Sequence, residues 1–178
     1  MMKCVFFDRD GIVNYSPGPG YVECWDEFRL IPEFTDILRD VQRHGYEAVI
    51  VTNQRGVALG RLSMEAVSDI HARLCGLLRE QHDLSLLDIL VCPHDDGQCA
   101  CRKPQPGLLT MAAQRHGIEL AASWMIGDKE RDVEAGRRAG CRTILVSAGD
   151  APTAANVHVR DLSELRDRID ALLTLTPA

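Results

Sequence analysis

The sequence predicts a doubly wound α/β fold, a Rossmann-like sheet of mostly parallel strands. Two observations lead to this fold class. Short apolar runs alternate along the chain with amphipathic helical stretches, and polar or turn residues bound each run, as is typical of parallel strands covered on both faces. Acidic, hydroxyl and amino groups also follow the runs. Because parallel strands bring their carboxyl ends to one edge of the sheet, we expect a ligand site at that edge.

Five runs have the length and composition of buried strands. They lie at residues 4–7, 48–51, 89–91, 124–126 and 143–146, and a sixth short strand is expected at 157–159. Helices are expected between them, at residues 34–41, 106–116, 132–139 and 162–173. A longer helix should begin after Ser63, a good N-cap residue, and carry an apolar stripe to Leu78.

Composition and charge narrow the class of protein. The chain has 178 residues and is 46% hydrophobic, which suits a single domain over residues 1–178. A net charge of −6 opposes general nucleic-acid binding, and no apolar run approaches the ~20 residues that span a bilayer. The first ten residues lack the pattern of a signal peptide. We therefore expect a cytoplasmic protein without a nucleic-acid partner or a membrane contact.

Chemically active side chains stand at the ends of the expected strands. The first strand runs into Asp8 and Asp10, the second into Thr52 and the fourth into Asp128, and Lys103 follows the loop after the third. A lone Asp-x-Asp pair is commonly a solvated turn, but random surface charge would rarely be sorted to one edge in this way. A carboxylate can attack phosphorus, and the developing charge needs a cation, a lysine and hydroxyl donors. The groups therefore indicate phosphoryl transfer, with a hard ion such as Mg²⁺.

A cluster of soft metal ligands occupies the loop after the third strand. Three thiols and an imidazole lie within ten residues: Cys92, His94, Cys99 and Cys101. This set matches a closed tetrahedral zinc site, whereas the alternative of three unrelated buried thiols leaves the clustering unexplained. All four positions are protein ligands, so the Zn²⁺ ion should be structural. It would stiffen the loop at 92–104 and fix the direction of Arg102 and Lys103.

Three segments resemble the motifs of haloacid-dehalogenase-superfamily phosphatases. They are Phe-Phe-Asp-Arg-Asp-Gly-Ile-Val-Asn at 6–14, Val-Thr-Asn-Gln at 51–54 and Ile-Gly-Asp-Lys-Glu-Arg-Asp at 126–132. The Cys-Pro-His at 92–94, followed by Cys-Ala-Cys-Arg-Lys-Pro at 99–104, is similar to the zinc-bearing branch of that superfamily. That branch contains heptose bisphosphate phosphatases and histidinol-phosphate phosphatases. The resemblance extends over about residues 5–146.

The resemblance implies a role for each catalytic position. Asp8 would be the nucleophile that forms an aspartyl phosphate. Asp10 would protonate the leaving alkoxide and then activate water. Thr52 and Lys103 would stabilise the transferring phosphoryl group, with assistance from Asn53.

The resemblance also implies the ligands of a catalytic Mg²⁺ ion. Asp8, Asp128 and the backbone carbonyl of Asp10 would hold it. Two interpretations of Asp132 stay open: it orients Lys103 or a metal-bound water, or it is a surface acid in the first turn of a helix, where the dipole favours it.

The spacing of the motifs leaves no room for a folded cap domain. The expected protein is therefore capless, and the stretch at 15–32 and the zinc loop must shield the site. An open site favours a small phosphorylated metabolite that is large enough to fill it, such as a phosphorylated sugar.

The pattern most resembles the heptose bisphosphate phosphatases, which predicts a sugar bisphosphate as the substrate. The expected substrate contacts are Ser16, Asn53, Gln54, Arg55, Arg102 and Lys129. Arg102 could hold the non-reacting phosphate in a bidentate grip. Two departures weaken this prediction. Leu59 stands where the heptose bisphosphate phosphatases usually have arginine. The zinc loop is also shorter than theirs and closer in length to that of the histidinol-phosphate phosphatases, whose substrate brings a cationic amine that Asp95 and Asp96 could attract.

Two further classes are alternatives to an enzyme of this kind. One is an inactive zinc-stabilised binding module, which the complete set of catalytic groups argues against. The other is a phospho-accepting signalling domain, which needs neither a second carboxylate two residues after the first nor a zinc loop. Release of phosphate under turnover conditions would separate the three.

Overall fold

A parallel sheet forms the centre of the molecule, whose computed structural model describes residues 2–174. Its strands are β1 (Cys4–Phe7), β2 (Glu47–Asn53), β3 (Asp88–Cys92), β4 (Trp124–Gly127), β5 (Arg142–Val146) and β6 (Val157–Val159). They lie in the order β3-β2-β1-β4-β5-β6, and every neighbouring pair is parallel. The predicted fold class is therefore confirmed. The strand order reverses between β1 and β4, which is where such sheets open a crevice at their carboxyl ends.

The described part of the chain also forms six helices, five between strands and one after β6. They are α1 (Pro32–Arg43), α2 (Arg55–Ala58), α3 (Met64–His82), α4 (Gly107–His116), α5 (Glu130–Ala139) and α6 (Leu162–Thr174), with 3₁₀ turns at Trp25–Glu27 and Leu120–Ala122. The five predicted helices are present, although α1 and α5 each begin two residues earlier than expected. The helix α2 was not predicted, because a four-residue turn is too short to show a helical period. The end of the predicted domain beyond residue 174 lies outside the described residues.

Local chemistry explains where the helices begin and end. The Ser63 side chain accepts a hydrogen bond from the backbone N–H of Ala66 at 3.1 Å, so Ser63 is the predicted N-cap of α3. Gly117 and Gly140 follow α4 and α5 with φ of 71° and 89°. Glycine adopts this left-handed conformation at no steric cost, which is why both helices end there.

The core has two layers, one on each face of the sheet. Successive residues of β1 alternate between them, with Val5 and Phe7 on one face and Cys4 and Phe6 on the other. The first face is covered by apolar side chains of α1, α3 and α6, and the second by those of α4 and α5. The central strands β1, β2 and β4 are thus buried on both sides, as is typical of a doubly wound sheet.

No cap domain forms among the described residues. Between β1 and β2 the chain adds only a 3₁₀ turn and α1, and between β2 and β3 only α2 and α3. The stretch at 15–32 instead folds over the sheet edge, and the ring of Tyr21 covers Gly56 so closely that a Cβ there would lie 3.0 Å from it. Within residues 2–174 no helix combines the length and apolar character needed to cross a membrane.

Candidate active site

The carboxyl ends of three central strands bring the predicted acidic and hydroxyl groups together. Asp8 directly follows β1, Thr52 lies near the end of β2 and Asp128 directly follows β4. Asp8 is 4% exposed and Thr52 is 1% exposed. Asp8 Oδ1 accepts a hydrogen bond from the backbone N–H of Arg9 at 2.8 Å. The arrangement places a shielded carboxylate at the point where the strand order reverses.

Lys103 inserts its ammonium group between two buried carboxylates. Nζ lies 2.7 Å from Asp8 Oδ1 and 2.7 Å from Asp132 Oδ1, and it donates to the backbone carbonyl of Val51 at 2.8 Å. Three oxygen atoms thus surround the ammonium group, two of them from carboxylates. Lys103 is therefore held rigidly, with its charge beside Asp8.

Asp132 is a buried partner of Lys103, so its interpretation as a surface acid is wrong. Its exposed fraction is 0%, and its Oδ2 accepts from the backbone N–H of Lys129 at 3.1 Å. A Cβ on Gly127 would lie 2.2 Å from the Cβ of Asp132, so only glycine permits this approach. The carboxylate thus accepts a hydrogen bond from the N-cap residue of α5 and also faces the ammonium group of Lys103.

Burial and neighbouring charges shift the pKa values of this group. Burial raises the pKa of Asp8 to about 6; Lys103 opposes the shift and Asp132 adds to it. Burial alone would lower the pKa of Lys103, but the carboxylates of Asp132 and Asp8 outweigh it and raise that pKa. Burial and the nearby Asp8 raise the pKa of Asp128. The site therefore holds more negative charge than one lysine balances, which favours a bound cation.

Asp10 lies beside Asp8 but has separate partners. Arg9 contacts Asp10 Oδ1 through Nη2 at 2.9 Å and through Nε at 3.2 Å. The amide of Asn14 donates to Oδ1 at 2.9 Å, and that of Gln54 donates to Oδ2 at 3.0 Å. Burial alone would raise the pKa of Asp10, but Arg9 and the amide donors hold it below its usual value. Asp10 is therefore a carboxylate in the free site.

Two of the expected substrate contacts hold other site residues in place. Gln54 is 1% exposed, and its Nε2 donates to Thr52 Oγ1 at 2.8 Å as well as to Asp10. The Asn53 side chain donates to the backbone carbonyl of Lys103 at 3.0 Å and accepts from its backbone N–H at 3.1 Å. This pair of hydrogen bonds, the Asn53–Lys103 clamp, ties the end of β2 to the segment that carries the lysine.

The carboxylate cluster of Asp8, Asp128 and Asp132 fits a hard divalent cation. Oxygen atoms of the three side chains lie within 4.8 Å of one another. Asp128 Oδ1 is buried and has no hydrogen-bond donor among the described residues, so a cation would satisfy it. Gly11 has φ of 97°, and a Cβ there would lie 2.6 Å from Asp128 Oδ2. Oxygen ligands of this kind suit Mg²⁺.

The thiol cluster of Cys92, His94, Cys99 and Cys101 also fits its predicted ion. Cys92 and Cys99 Sγ atoms are 3.5 Å apart and those of Cys99 and Cys101 are 3.2 Å apart; His94 Nδ1 lies 3.6 and 3.4 Å from the Cys92 and Cys101 sulfurs. Around a tetrahedral zinc with bonds of about 2.3 Å, donor atoms lie about 3.7 Å apart. All seven cysteines are free. The cluster therefore supplies four zinc ligands and no open position.

Acidic residues of the same loop pair with two of the expected substrate-binding arginines. Arg55 Nε lies 2.5 Å from Asp95 Oδ1, and Arg102 Nε lies 2.5 Å from Asp96 Oδ1. Arg102 also donates to the backbone carbonyl of His94 at 3.4 Å. The two carboxylates are thus engaged by cations of the protein itself.

A cavity of about 300 Å³ opens at this edge of the sheet. Asp10 and Asp128 lie at its wall, and Ser16 and other residues of the 15–32 stretch form another side. Its cationic lining residues are Arg55, Arg102, Lys129 and Arg131. Lys129 Nζ lies 3.0 Å from Asp128 Oδ2. In a chain of net charge −6, this local excess of cations suits an anionic ligand.

Sequence reasoning did not find Arg9 as a partner of Asp10. Its exposed fraction is 0%, although arginine is seldom fully buried. The only signal was its place between two aspartates, which a solvated turn would share.

Known proteins resemble this chain in sequence. Residues 100–166 match the family of HAD-hydrolase-like proteins. A D-glycero-β-D-manno-heptose-1,7-bisphosphate 7-phosphatase from Pseudomonas putida is 33% identical, with 96% of this chain and 97% of the relative covered. The protein of the same name from Haemophilus ducreyi is 36% identical, with 98% and 97% covered.

Solved structures agree in fold over nearly the full length. The D,D-heptose 1,7-bisphosphate phosphatase of B. bronchiseptica, complexed with magnesium and phosphate, is 31% identical with a TM-score of 0.82, and the match covers 94% of this chain and 98% of that one. A HAD-like protein from Mesorhizobium loti is 32% identical with a TM-score of 0.85, and 99% and 88% of the two chains are covered. Because these relatives are 31–36% identical over nearly the whole length of both chains, the chain belongs to the heptose-1,7-bisphosphate 7-phosphatase family of HAD-like hydrolases.

Proposed function

We propose that the chain is a Mg²⁺-dependent phosphomonoesterase that removes the 7-phosphate of D-glycero-D-manno-heptose 1,7-bisphosphate through an aspartyl phosphate. The observation that carries this proposal is the juxtaposition of Asp8, Asp10 and Lys103 with a cavity rich in cations. The group of Asp8, Asp10 and Lys103 suits the chemistry at phosphorus. The cation-rich cavity suits a substrate with a second phosphate.

In the first step, Asp8 attacks phosphorus and the bond from phosphorus to the sugar oxygen breaks. The attacking atom is Oδ2, since Lys103 and the backbone N–H of Arg9 both contact Oδ1. Thr52 accepts its hydrogen bond from Gln54, which leaves the Thr52 hydroxyl proton to donate to a phosphoryl oxygen. Lys103 offsets the charge that develops there.

Asp10 transfers the proton in both steps. It is a carboxylate in the free site, and an arriving phosphate dianion raises its pKa by like-charge repulsion, so that it takes up a proton. That proton passes to the sugar oxygen as the first bond breaks. In the second step Asp10 accepts a proton from water, water oxygen bonds to phosphorus, and the bond between Asp8 and phosphorus breaks to release inorganic phosphate.

The residues that would hold Mg²⁺ are Asp8, Asp128 and the backbone carbonyl of Asp10. When bound, the ion neutralises charge on the phosphoryl oxygens. In the same proposal, Zn²⁺ in the thiol cluster has a structural role, because the cluster leaves no position for a substrate. Its loop carries Arg102 and leads directly into Lys103.

The cationic wall of the cavity supports a bisphosphate over histidinol phosphate. The sequence offered Asp95 and Asp96 as a site for a cationic amine, but Arg55 and Arg102 already neutralise them. Arg102 has one N–H edge left to bind a phosphate, as an arginine carries five N–H donors. Ser16, Arg55 and Lys129 line the remaining cavity wall and complete the proposed substrate contacts.

We further propose that residues 1–178 act as one phosphatase domain in the cytoplasm, with a small phosphorylated metabolite and no nucleic acid as partner. Seven free cysteines support a reducing compartment. The net charge of −6 supports the absence of a nucleic-acid partner.

The test is to compare kcat/KM for heptose 1,7-bisphosphate and for histidinol phosphate. We expect the bisphosphate to be the better substrate, and Arg102→Ala to lower its kcat/KM by roughly 10- to 100-fold, as expected for the loss of a charge-assisted hydrogen bond. Arg115→Ala is the matched control, because Arg115 pairs with Asp88 at the opposite end of β3. A preference for histidinol phosphate, with no effect of Arg102→Ala, would overturn the substrate assignment.

A further inference from the structure

A buried arginine and a buried histidine stand behind Asp10. Arg9 has an exposed fraction of 0%, and His71, on α3, has one of 8%. Arg9 Nη1 lies 3.3 Å from His71 Nε2. The Nε and Nη2 groups of the same guanidinium contact the carboxylate of Asp10. One rigid planar group therefore touches both α3 and the proposed acid–base residue.

The direction of the contact between Arg9 and His71 follows from their chemistry. A guanidinium group carries only N–H donors, so the ring nitrogen of His71 must accept. An imidazole with a free acceptor at Nε2 is neutral and carries its proton on Nδ1. Burial, together with the charge of Arg9, lowers the pKa of His71 to about 4, while Asp10 opposes the shift. At neutral pH the ring is thus in the accepting form that the geometry needs.

We propose that neutral His71 is a positioning residue of this enzyme, which accepts a hydrogen bond from Arg9 and so keeps the guanidinium group in register with the carboxylate of Asp10. The inference rests on the proposed function, in which Asp10 delivers a proton in one step and removes one in the next. His71 does not touch the substrate in this account; it acts through Arg9.

The physical reason is the cost of an unpaired buried donor. Without an acceptor at Nε2, the Nη1 group of Arg9 has to seek another partner, and the planar guanidinium group turns as a whole. Asn14 and Gln54 would still contact Asp10, but three of its hydrogen bonds come from the guanidinium group that has moved. A small displacement of the proton-transfer group lowers the rate of the chemical steps more than the affinity for substrate.

The first experiment compares two variants of His71. His71→Leu removes the acceptor, whereas His71→Gln offers an amide oxygen to Arg9. We expect His71→Leu to lower kcat by roughly tenfold, well short of the loss expected when the acid–base group itself is removed, and to leave KM within about twofold. His71→Gln should recover most of kcat. His116→Leu, which removes a helical histidine paired with Asp88, is the control and should match the wild-type protein.

The outcomes separate this inference from the proposed function. Turnover is measured with heptose 1,7-bisphosphate and with p-nitrophenyl phosphate. A wild-type protein that hydrolyses neither contradicts the proposed function. An active wild-type protein with unchanged kcat in His71→Leu, or with equal losses in the folded Leu and Gln variants, overturns the role of His71 alone.

A second measurement uses the wild-type protein and so does not depend on the folding of a variant. The ¹⁵N chemical shifts of the His71 ring report which nitrogen carries the proton. We expect a neutral ring at pH 7, with Nε2 unprotonated and Nδ1 protonated. A protonated Nε2, in either a neutral or a charged ring, would contradict the proposal, because it could not accept from Arg9.

Discussion

The carboxylate cluster and the thiol cluster are both suited to a metal ion, but the chain builds them in different ways. The carboxylate cluster joins residues that lie far apart in the sequence, and the ends of β1 and β4 and the first turn of α5 bring them together. The thiol cluster lies within one loop of ten residues, and three of its four ligands are partly exposed. The first site depends on the whole sheet, and the second depends on local spacing. Changes to the first should therefore affect chemistry, and changes to the second should affect stability.

The largest effect should follow from Asp8→Asn. A neutral amide cannot attack phosphorus, so we expect turnover to be lost, as measured by phosphate release. The sheet that positions residue 8 is unchanged, and an amide avoids the cost of a buried charge, so thermal unfolding should show no loss of stability. The zinc content should also be that of the wild-type protein. Phosphate release at the wild-type rate would contradict the nucleophile assignment.

Asp10→Asn should have the next largest effect. Because an amide cannot carry the proton, we expect kcat to fall by roughly 10²- to 10⁴-fold in steady-state assays. Asp36→Asn, on the exposed side of α1, is the matched control and should not change kcat. Equal activity of the two variants would rule out proton transfer by Asp10.

Cys99→Ser should lower the stability of the protein more than its activity, in contrast to the two aspartate variants. Elemental analysis should find one zinc ion per chain in the wild-type protein and none in the variant. The melting temperature of the variant should also be lower. A smaller loss of activity, roughly tenfold, should follow from poorer positioning of Lys103 and Arg102, and added Mg²⁺ should not restore it. Cys24→Ser, which changes an exposed cysteine outside the cluster, should leave all three measurements unchanged. Protein purified without chelator that contains no zinc would contradict the site.

The smallest expected effect is the release of thiol protons when Zn²⁺ binds to the thiol cluster. Burial and the neighbouring thiols raise the pKa of Cys101 to about 12, and burial also raises that of Cys92. Burial alone would raise the pKa of Cys99, but hydrogen bonds from Cys101 lower it to about 7. At pH 7 the metal-free cluster thus holds at least two thiol protons, which Zn²⁺ must displace. Calorimetry in buffers of different ionisation enthalpy should detect their release, and zinc affinity should fall as the pH falls.

The same contrast explains which features could be predicted from sequence. The thiol cluster was predicted as a complete set, because all its ligands are neighbours in the chain. The strands were predicted because each is a short apolar run with polar ends. The gathering of Asp8, Thr52 and Asp128 followed from the parallel order of those strands.

Contacts between distant side chains could not be predicted. The contact of Arg9 with His71 and the burial of Asp132 against Lys103 depend on how α3 and α5 pack on the sheet. The sequence suggested that Asp95 could attract a cationic amine, but in the structure it pairs with Arg55. The sequence alone does not distinguish a free acidic residue from one that is paired with an arginine. Each of these contacts joins residues that are distant in sequence, and sequence periodicity does not specify which side chains meet across such distances.

The Asn53–Lys103 clamp has a consequence for how this loop can vary in length. One end of the loop is held in β3 at Cys92, and the other is held at the backbone of Lys103 by the side chain of Asn53. Residues inserted or deleted between His94 and Cys99 should therefore change the length of the loop while its two ends stay in place. The ammonium group of Lys103 should keep its position, while the part of the cavity that the loop covers should change. A change in loop length should therefore alter the cavity wall that Arg102 lines, while the groups that act on phosphorus stay in place.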